Sequence, residues 1–254
     1  MTQMFESLKG KKVLVTGSSR GIGKAIALGF AECGADVTLH GIKEGKAMEQ
    51  TILEAKAFGT NINVVYGDLA DPAETENVIK ETLEKQGGID ILICNASVQI
   101  RNEWDSITDE EMQTQMQVNF FSTLKLIQGA VPSMKKNGWG RVITIGSVQQ
   151  AKPHPHMVVY AASKAAMVNM VQNLALQLAK DRITVNNVAP GTIYTDRNTE
   201  VLKDEAYKKI VVDSTPVGFI GEPYDCVGAT LMLASDCGRY ITGENLFIDG
   251  GKFI

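Results

Sequence analysis

Cysteine is scarce and unpatterned in this chain. Cys33, Cys94, Cys226 and Cys237 form no Cys-x-x-Cys pair, which argues against a zinc ribbon or a disulfide scaffold and leaves buried thiols as the expectation. Histidine is rarer still, with His40, His154 and His156 alone, so no metal centre is expected. Charge of either sign is not in excess: the net charge is -4 and the pI near 5.5, a balance with no field to draw in nucleic acid or anionic lipid. No apolar run approaches the roughly 18 residues of a membrane span. The start, Met1-Thr2-Gln3-Met4-Phe5-Glu6, lacks a basic and then apolar leader. A cytoplasmic protein without nucleic-acid or membrane partners is therefore expected.

What remains is a chain of 254 residues, 44% hydrophobic and 21% charged, long enough for one large domain over 1–254. Apolar, β-rich runs alternate with helix-period segments, and that alternation implies crossovers and a parallel sheet. The expected strands are Lys12–Thr16, Asp36–His40, Asn63–Tyr66, Ile89–Cys94, Gly140–Ile145, Thr184–Val188 and Asn245–Ile248. Most are continuous apolar runs, as when helices cover both faces. Helical patterns fall near 21–33, 44–58, 72–86, 109–136, 157–180 and 223–235, with caps at Asp71, ahead of Pro72, and at Thr108. The segment 192–221 shows no strand and weak helical character, which makes it a candidate lid.

After the first strand, Gly17-Ser18-Ser19-Arg20-Gly21-Ile22-Gly23 runs into an apolar helix. Glycine at Gly17 permits a tight turn, at Gly21 a close backbone approach and at Gly23 tight helix packing, while uncapped N–H groups and the helix dipole attract a phosphate. The spacing is Gly-x3-Gly-x-Gly rather than the common Gly-x-Gly-x-x-Gly. Further along, Tyr160-Ala161-Ala162-Ser163-Lys164 opens a helix and puts a phenol and an ammonium on one face. Bringing a phenol from about pH 10 to neutrality takes roughly 4 kcal/mol, which one cation about 4 Å away can supply. Ser147 ends an apolar strand at the sheet edge where parallel sheets place ligands.

With Ser147 in place the chain resembles the classical short-chain dehydrogenase/reductase family over essentially its whole length. Thr16-Gly17-x3-Gly21-Ile22-Gly23, Asp68, Asn95-Ala96, Asn119, Ser147, Tyr160-x3-Lys164, Pro190-Gly191 and Asp249-Gly250-Gly251 all stand in the family's order. The resemblance implies a doubly wound Rossmann fold, a seven-stranded parallel sheet flanked by helices. It implies hydride transfer between a nicotinamide cofactor and a carbonyl or secondary alcohol such as a 3-oxoacyl thioester, a sugar acid, a polyol or a ketone. Ser147 would hold the substrate oxygen, Tyr160 would move its proton, Lys164 would bind the ribose and lower the phenol pKa, and Asn119 would anchor a relay water. The cofactor would lie along Gly17, Ser19, Arg20, Gly21, Ile22 and Gly23, then Asp68, Leu69, Asn95 and Ala96, and finally Pro190, Gly191, Thr192 and Thr195. A homotetramer or homodimer is implied as well. Ser97, where the family usually has glycine, is a departure.

Cofactor choice is read at the end of the second strand. An acid there would repel a 2′-phosphate, but Gly41 holds the position, and Arg20 resembles a basic position of the family's NADP users. NADP(H) is therefore expected over NAD(H), with Lys43 or His40 as secondary phosphate contacts. Arg101 and Arg197 are candidates to clasp an anionic substrate, and His154 and His156 to line its pocket. A catalytically silent dinucleotide-binding protein is the alternative reading. An epimerase is disfavoured by the short chain and the glycine spacing.

Overall fold

The computed structural model describes residues 5–254. One parallel sheet runs through it in the order β3-β2-β1-β4-β5-β6-β7. Its strands are β1 Lys12–Val15, β2 Asp36–Gly41, β3 Ile62–Tyr66, β4 Ile91–Cys94, β5 Gly140–Ile145, β6 Ile183–Pro190 and β7 Asn245–Ile248. All seven expected strands are present. The β4 ladder starts two residues late because Asp90 is used otherwise: its carboxylate accepts from the Lys12 amide at 3.0 Å and from Asn137 Nδ2 at 3.1 Å.

The continuous apolar runs are explained by burial on two faces. Val13 and Val15 of β1 face one core cluster with Ile26 and Phe30 of α1 (Gly21–Glu32) and Leu231 of α9 (Val227–Ala234). Leu14, between them, faces the other, with Val78 of α3 (Pro72–Gln86), Leu126 of α5 (Ser122–Asn137) and Val171 of α6 (Val158–Leu178). Each such side chain contributes roughly 1.5–3 kcal/mol by leaving water. The helix α2 (Lys46–Lys56) packs beside α1. The expected caps form: Asp71 accepts from the Ala73 amide at 2.7 Å, and Thr108 and Glu111 make a reciprocal capping box.

Three expectations change. The pattern over 109–136 is α4 (Asp109–Met116), a π turn over Gln117–Phe121 and then α5, because Asn119 turns inward and trades hydrogen bonds with the backbone of Val98. The segment 192–221 is largely helical, with α7 (Asp196–Thr199), a short turn over Val201–Lys203 and α8 (Glu205–Asp213) capped by Asp204. Its helical signal is broken into pieces too short for periodicity to register. The segment is pinned at its neck, where Tyr194 N donates to Gly221 O at 2.7 Å and Gly221 N to Thr192 O at 3.1 Å. Of the thiols, Cys94 and Cys226 are buried, but Cys33 is only partly so and Cys237 is exposed. No helix among the described residues is long and apolar enough to cross a membrane.

Candidate active site

The strand order leaves a groove of about 530 Å³ at the carboxyl edge of the sheet, between β1 and β4. Its floor is the glycine turn. Gly17 sits at φ +62°, and a Cβ there would come within 2.9 Å of the Ala96 backbone. A Cβ on Gly23 would collide with the Gly17 carbonyl and the Asn95 amide. The turn is tied from both sides. Asn95 Nδ2 donates to the carbonyls of Thr16 at 2.9 Å and Gly17 at 3.0 Å. Thr16 Oγ1 accepts from the amides of Asn95 and Ala96. On the β2 side, His40 Nδ1 accepts from the Gly17 amide at 3.0 Å, which leaves Nε2 to donate to the Gly67 carbonyl at 3.0 Å. Burial drives the His40 pKa below its ordinary value, against the Gly67 carbonyl and Asp68, so the ring is neutral with both nitrogens committed. This corrects the expectation of His40 as a phosphate contact. Its tethering role depends on the register of β2 against the turn, a non-local fact no local pattern carries.

The start of α1 has no side-chain cap, so its first amides are free to face an anion. Ser19, Arg20, Gly21 and Ile22 line this end of the groove. Arg20 is exposed and meets Asp196 of α7 at 3.3 Å. Asp68, Leu69, Asn95 and Ala96 also line the groove. Asp68 Oδ1 also accepts from the Ala70 amide at 2.9 Å, so it terminates its strand as well. Pro190 and Gly191 line the far end, whereas Thr195 lies over the glycine turn, its Cγ2 3.4 Å from where a Cβ on Gly21 would stand. Thr192 does neither: its side chain faces a second, smaller cavity, where its hydroxyl accepts from Lys252 Nζ at 3.2 Å.

Ser147 and Tyr160 line that far end, with Lys164 close to the phenol ring and Asn119 bound to Val98 and Ser163. Ser147 caps the turn after β5 and shares the groove wall with Tyr160, which is 4% exposed. Lys164 and Asn119 are buried beneath. Lys164 Nζ donates to the Ile145 carbonyl at 2.8 Å and lies 5.7 Å from the Tyr160 ring centre. Asn119 Nδ2 donates to Ser163 Oγ at 3.0 Å, and Ser163 Oγ donates to the Tyr160 carbonyl at 2.7 Å, linking the π turn to α6.

Burial raises the Tyr160 pKa, opposed by the charge of Arg197 and by hydrogen bonding to Ser147 and Arg197. The Lys164 pKa is pushed down to about 7, by burial first and by Arg197 second, with Cys94 opposing. The cation acting on the phenol here is thus Arg197 of the lid rather than Lys164 alone, as the Tyr-x3-Lys spacing suggests. Arg197 spans the groove to reach Ser97, donating to its carbonyl at 2.8 Å and to Oγ at 3.1 Å. Nothing in the sequence couples positions so far apart.

A family model described as enoyl-(acyl carrier protein) reductase matches residues 17–252. A glucose 1-dehydrogenase of Gluconobacter oxydans is 38% identical over 243 residues, covering 95% of this chain and 91% of the relative. Among solved structures, a 3-oxoacyl (acyl-carrier-protein) reductase of Agrobacterium tumefaciens with NADP bound has a TM-score of 0.93 and 39% identity. That alignment covers 99% of this chain and 97% of the other. A gluconate 5-dehydrogenase of Burkholderia cenocepacia in complex with NADP and tartrate has a TM-score of 0.91 and 30% identity, with 98% of each chain covered.

Proposed function

The chain belongs to the short-chain dehydrogenase/reductase family, and from that premise we propose that it moves a hydride between NADP(H) and a carbonyl or secondary alcohol held at Ser147 and Tyr160. The observation that carries the reading is the convergence of Ser147, Tyr160 and Lys164 on one end of a groove whose other end is a glycine turn. A silent binding module has no use for that convergence and is not favoured. The residues present suit the dinucleotide. The uncapped start of α1 faces its phosphates, Gly17 and Gly23 leave no Cβ in the way, and no carboxylate stands at Gly41. NADP(H), when bound, donates or accepts the hydride.

Arg20 supplies a cation for the 2′-phosphate. Its present bond to Asp196 joins side chains 69% and 70% exposed, and such a pair is worth about 0–1 kcal/mol, so a phosphate can replace it. Relatives crystallised with NADP support the choice. Lys43 remains an exposed second cation. The proposed cofactor wall is the set read from the sequence without Thr192, which we assign to the substrate side.

Ser147 donates a hydrogen bond to the substrate oxygen and Tyr160 gives or takes the proton, so charge growing on that oxygen meets two preplaced hydroxyls. Burial keeps Tyr160 protonated, the form that reduction requires. Oxidation needs the phenolate, which Arg197 and a protonated Lys164 stabilise. Asn119 holds the π turn against Val98 and Ser163 and thereby positions the helix that carries Tyr160. We assign a homodimer or homotetramer, supported by Phe121 of the π turn and Leu176 of α6, 50% and 85% exposed.

The test is turnover followed by NADPH absorbance against ketones, sugar acids, polyols and 3-oxoacyl thioesters. Tyr160→Phe is expected to lower kcat by about 100-fold or more while NADPH still binds. Undiminished turnover in that variant would remove Tyr160 from its role.

A further inference from the structure

Behind Ser147 a second cavity of about 110 Å³ opens. It shares Gln99, Ser147, Gly191 and Asn198 with the large groove, so a group filling it lies beside the reacting atoms. Its charged wall is of one sign. Arg101 comes from the loop after β4, Lys252 from beyond β7 and His154 from the loop before α6, and no carboxylate lines the space.

None of Arg101, Lys152 and Lys252 takes part in an ion pair among the described residues. The acids nearby are committed elsewhere. Asp249 accepts from the amides of Gly251 at 3.0 Å and Phe253 at 2.7 Å, which folds the turn that presents Lys252. Glu103 faces His156 Nδ1 at 3.2 Å. The hydrogen bonds of the two lysines go to dipoles: Lys252 Nζ reaches Thr192 Oγ1, and Lys152 Nζ reaches the Lys252 carbonyl at 2.5 Å. They also disfavour one another. Lys252 is held below its usual range by burial and then by Lys152, with Asp249 opposing. His154 is pushed down by burial, then by Arg101, His156 and Lys252. Such a field is complementary to an anion.

The second observation has the opposite polarity. Gln149 Oε1, on the same wall, is buried with no hydrogen-bond partner. A buried acceptor left bare costs free energy that a donor restores. A carboxylate has no proton to offer it, but a hydroxyl does.

We propose that this cavity holds the far end of a short, hydroxylated carboxylic acid, its carboxylate between Arg101 and Lys252 and one hydroxyl donating to Gln149 Oε1. This deepens and rests on the hydride-transfer reading above. In oxidation, the carbinol C–H bond of the substrate breaks and both its electrons leave with the hydride for NADP+. The O–H proton passes to the Tyr160 phenolate, and a keto acid remains; reduction runs the same steps backwards. The space, roughly four waters at about 30 Å³ each, suits a compact polar chain. The acyl chain of a thioester would bury Arg101 and Lys252 against hydrocarbon with nothing to pair them.

The experiment compares D-gluconate and its epimeric aldonates with the neutral alditols of the same carbon chains, using NADP+, and the corresponding keto acids with NADPH. The acids are expected to exceed the neutral compounds in kcat/KM by at least about tenfold. Arg101→Met and Lys252→Met should each raise KM for the acids by a similar factor and leave KM for the neutral compounds in place, with Arg101→Lys recovering part of the loss. Gln149→Leu should weaken hydroxylated acids but not a keto acid without hydroxyls. Equal use of acids and alditols, or variants that weaken both alike, would overturn the anion site.

Turnover of neutral ketones or thioesters alone would overturn it too, while leaving hydride transfer standing. No turnover of any carbonyl or alcohol with either cofactor would instead overturn the hydride-transfer reading. Calorimetric titration of D-gluconate into NADPH-loaded protein then reads the anion site independently of chemistry. Binding that Arg101→Met weakens by about tenfold upholds the site, and no heat at millimolar gluconate refutes it.

Discussion

The two long walls of the groove are built on opposite plans. The glycine-turn wall is held by buried or half-buried bonds, from His40, Thr16 and Asn95 to backbone groups of β1, β4 and the turn itself. The lid, Thr192–Gly221, is anchored at its neck, by the Val217 amide on the Gly250 carbonyl at 3.1 Å and by buried Leu202 and Val211, and it reaches across the groove through side chains at the surface, Asp196 to Arg20 and Arg197 to Ser97. Buried bonds leave unpaired groups when broken, whereas exposed ones exchange with water at little cost. The backbone cradle for the phosphates is therefore held by bonds that are costly to break, while the lid crosses the groove through bonds that open readily.

This contrast breaks first at His40. His40→Leu would leave the Gly17 amide and the Gly67 carbonyl unpaired, at a cost of about 2–4 kcal/mol measured by urea unfolding, with weaker NADPH binding. The pH dependence has a definite sign. The unfolded chain takes up a proton near the ordinary 6.5, and the folded chain, with its lowered His40 pKa, resists it. Stability from this group is thus full above that pH and falls as pH drops through and below it. The variant should lose that acid limb, and an unchanged profile would show that the ring is not held neutral.

The second test sits where the two walls meet. Arg20→Ala should cost NADPH about tenfold in affinity, 1.4 kcal/mol, and leave NADH nearly unaffected. A preference for NADPH that survives would move the 2′-phosphate contact to Lys43. The smallest effect belongs to the lid. Ser97→Gly removes one of the two bonds to Arg197 and should change global stability by no more than about 0.5 kcal/mol. Limited trypsin digestion should nevertheless cut faster within 192–221, and NADPH should slow it. Equal cleavage of variant and parent would make the lid as firm as the opposite wall.

What could be read in the sequence follows the same division. Gly17 to Gly23, Ser147 and the Tyr160–Lys164 pair are legible because their chemistry depends on spacing within one turn or one helix. The central strands β1, β4, β5 and β6 are legible because burial on both faces writes them as largely apolar runs. His40, Ser163 and Arg197 were not legible as tethers, since each acts on a residue brought near only by the register of the sheet or the path of the lid. The π turn at Asn119 is hidden for the same reason: an inward asparagine explains it, and its partner Val98 lies on another loop. The helices of 192–221 are too short to show a period, and Cys237 has no neighbours in sequence that mark it as exposed.

The strand order has a consequence for how the protein comes into being. β1 does not pair with β4 until four strands have been made, and Asn95 reaches Thr16 across 79 residues. Contacts so distant along the chain are closed against a large entropy and form late. The first three strands can collapse with α1 and α2 on a growing chain, yet the turn between β1 and α1 has only its His40 side tied at that stage. The phosphate cradle is therefore finished by synthesis of the fourth strand, and a nucleotide has no completed floor to select before then.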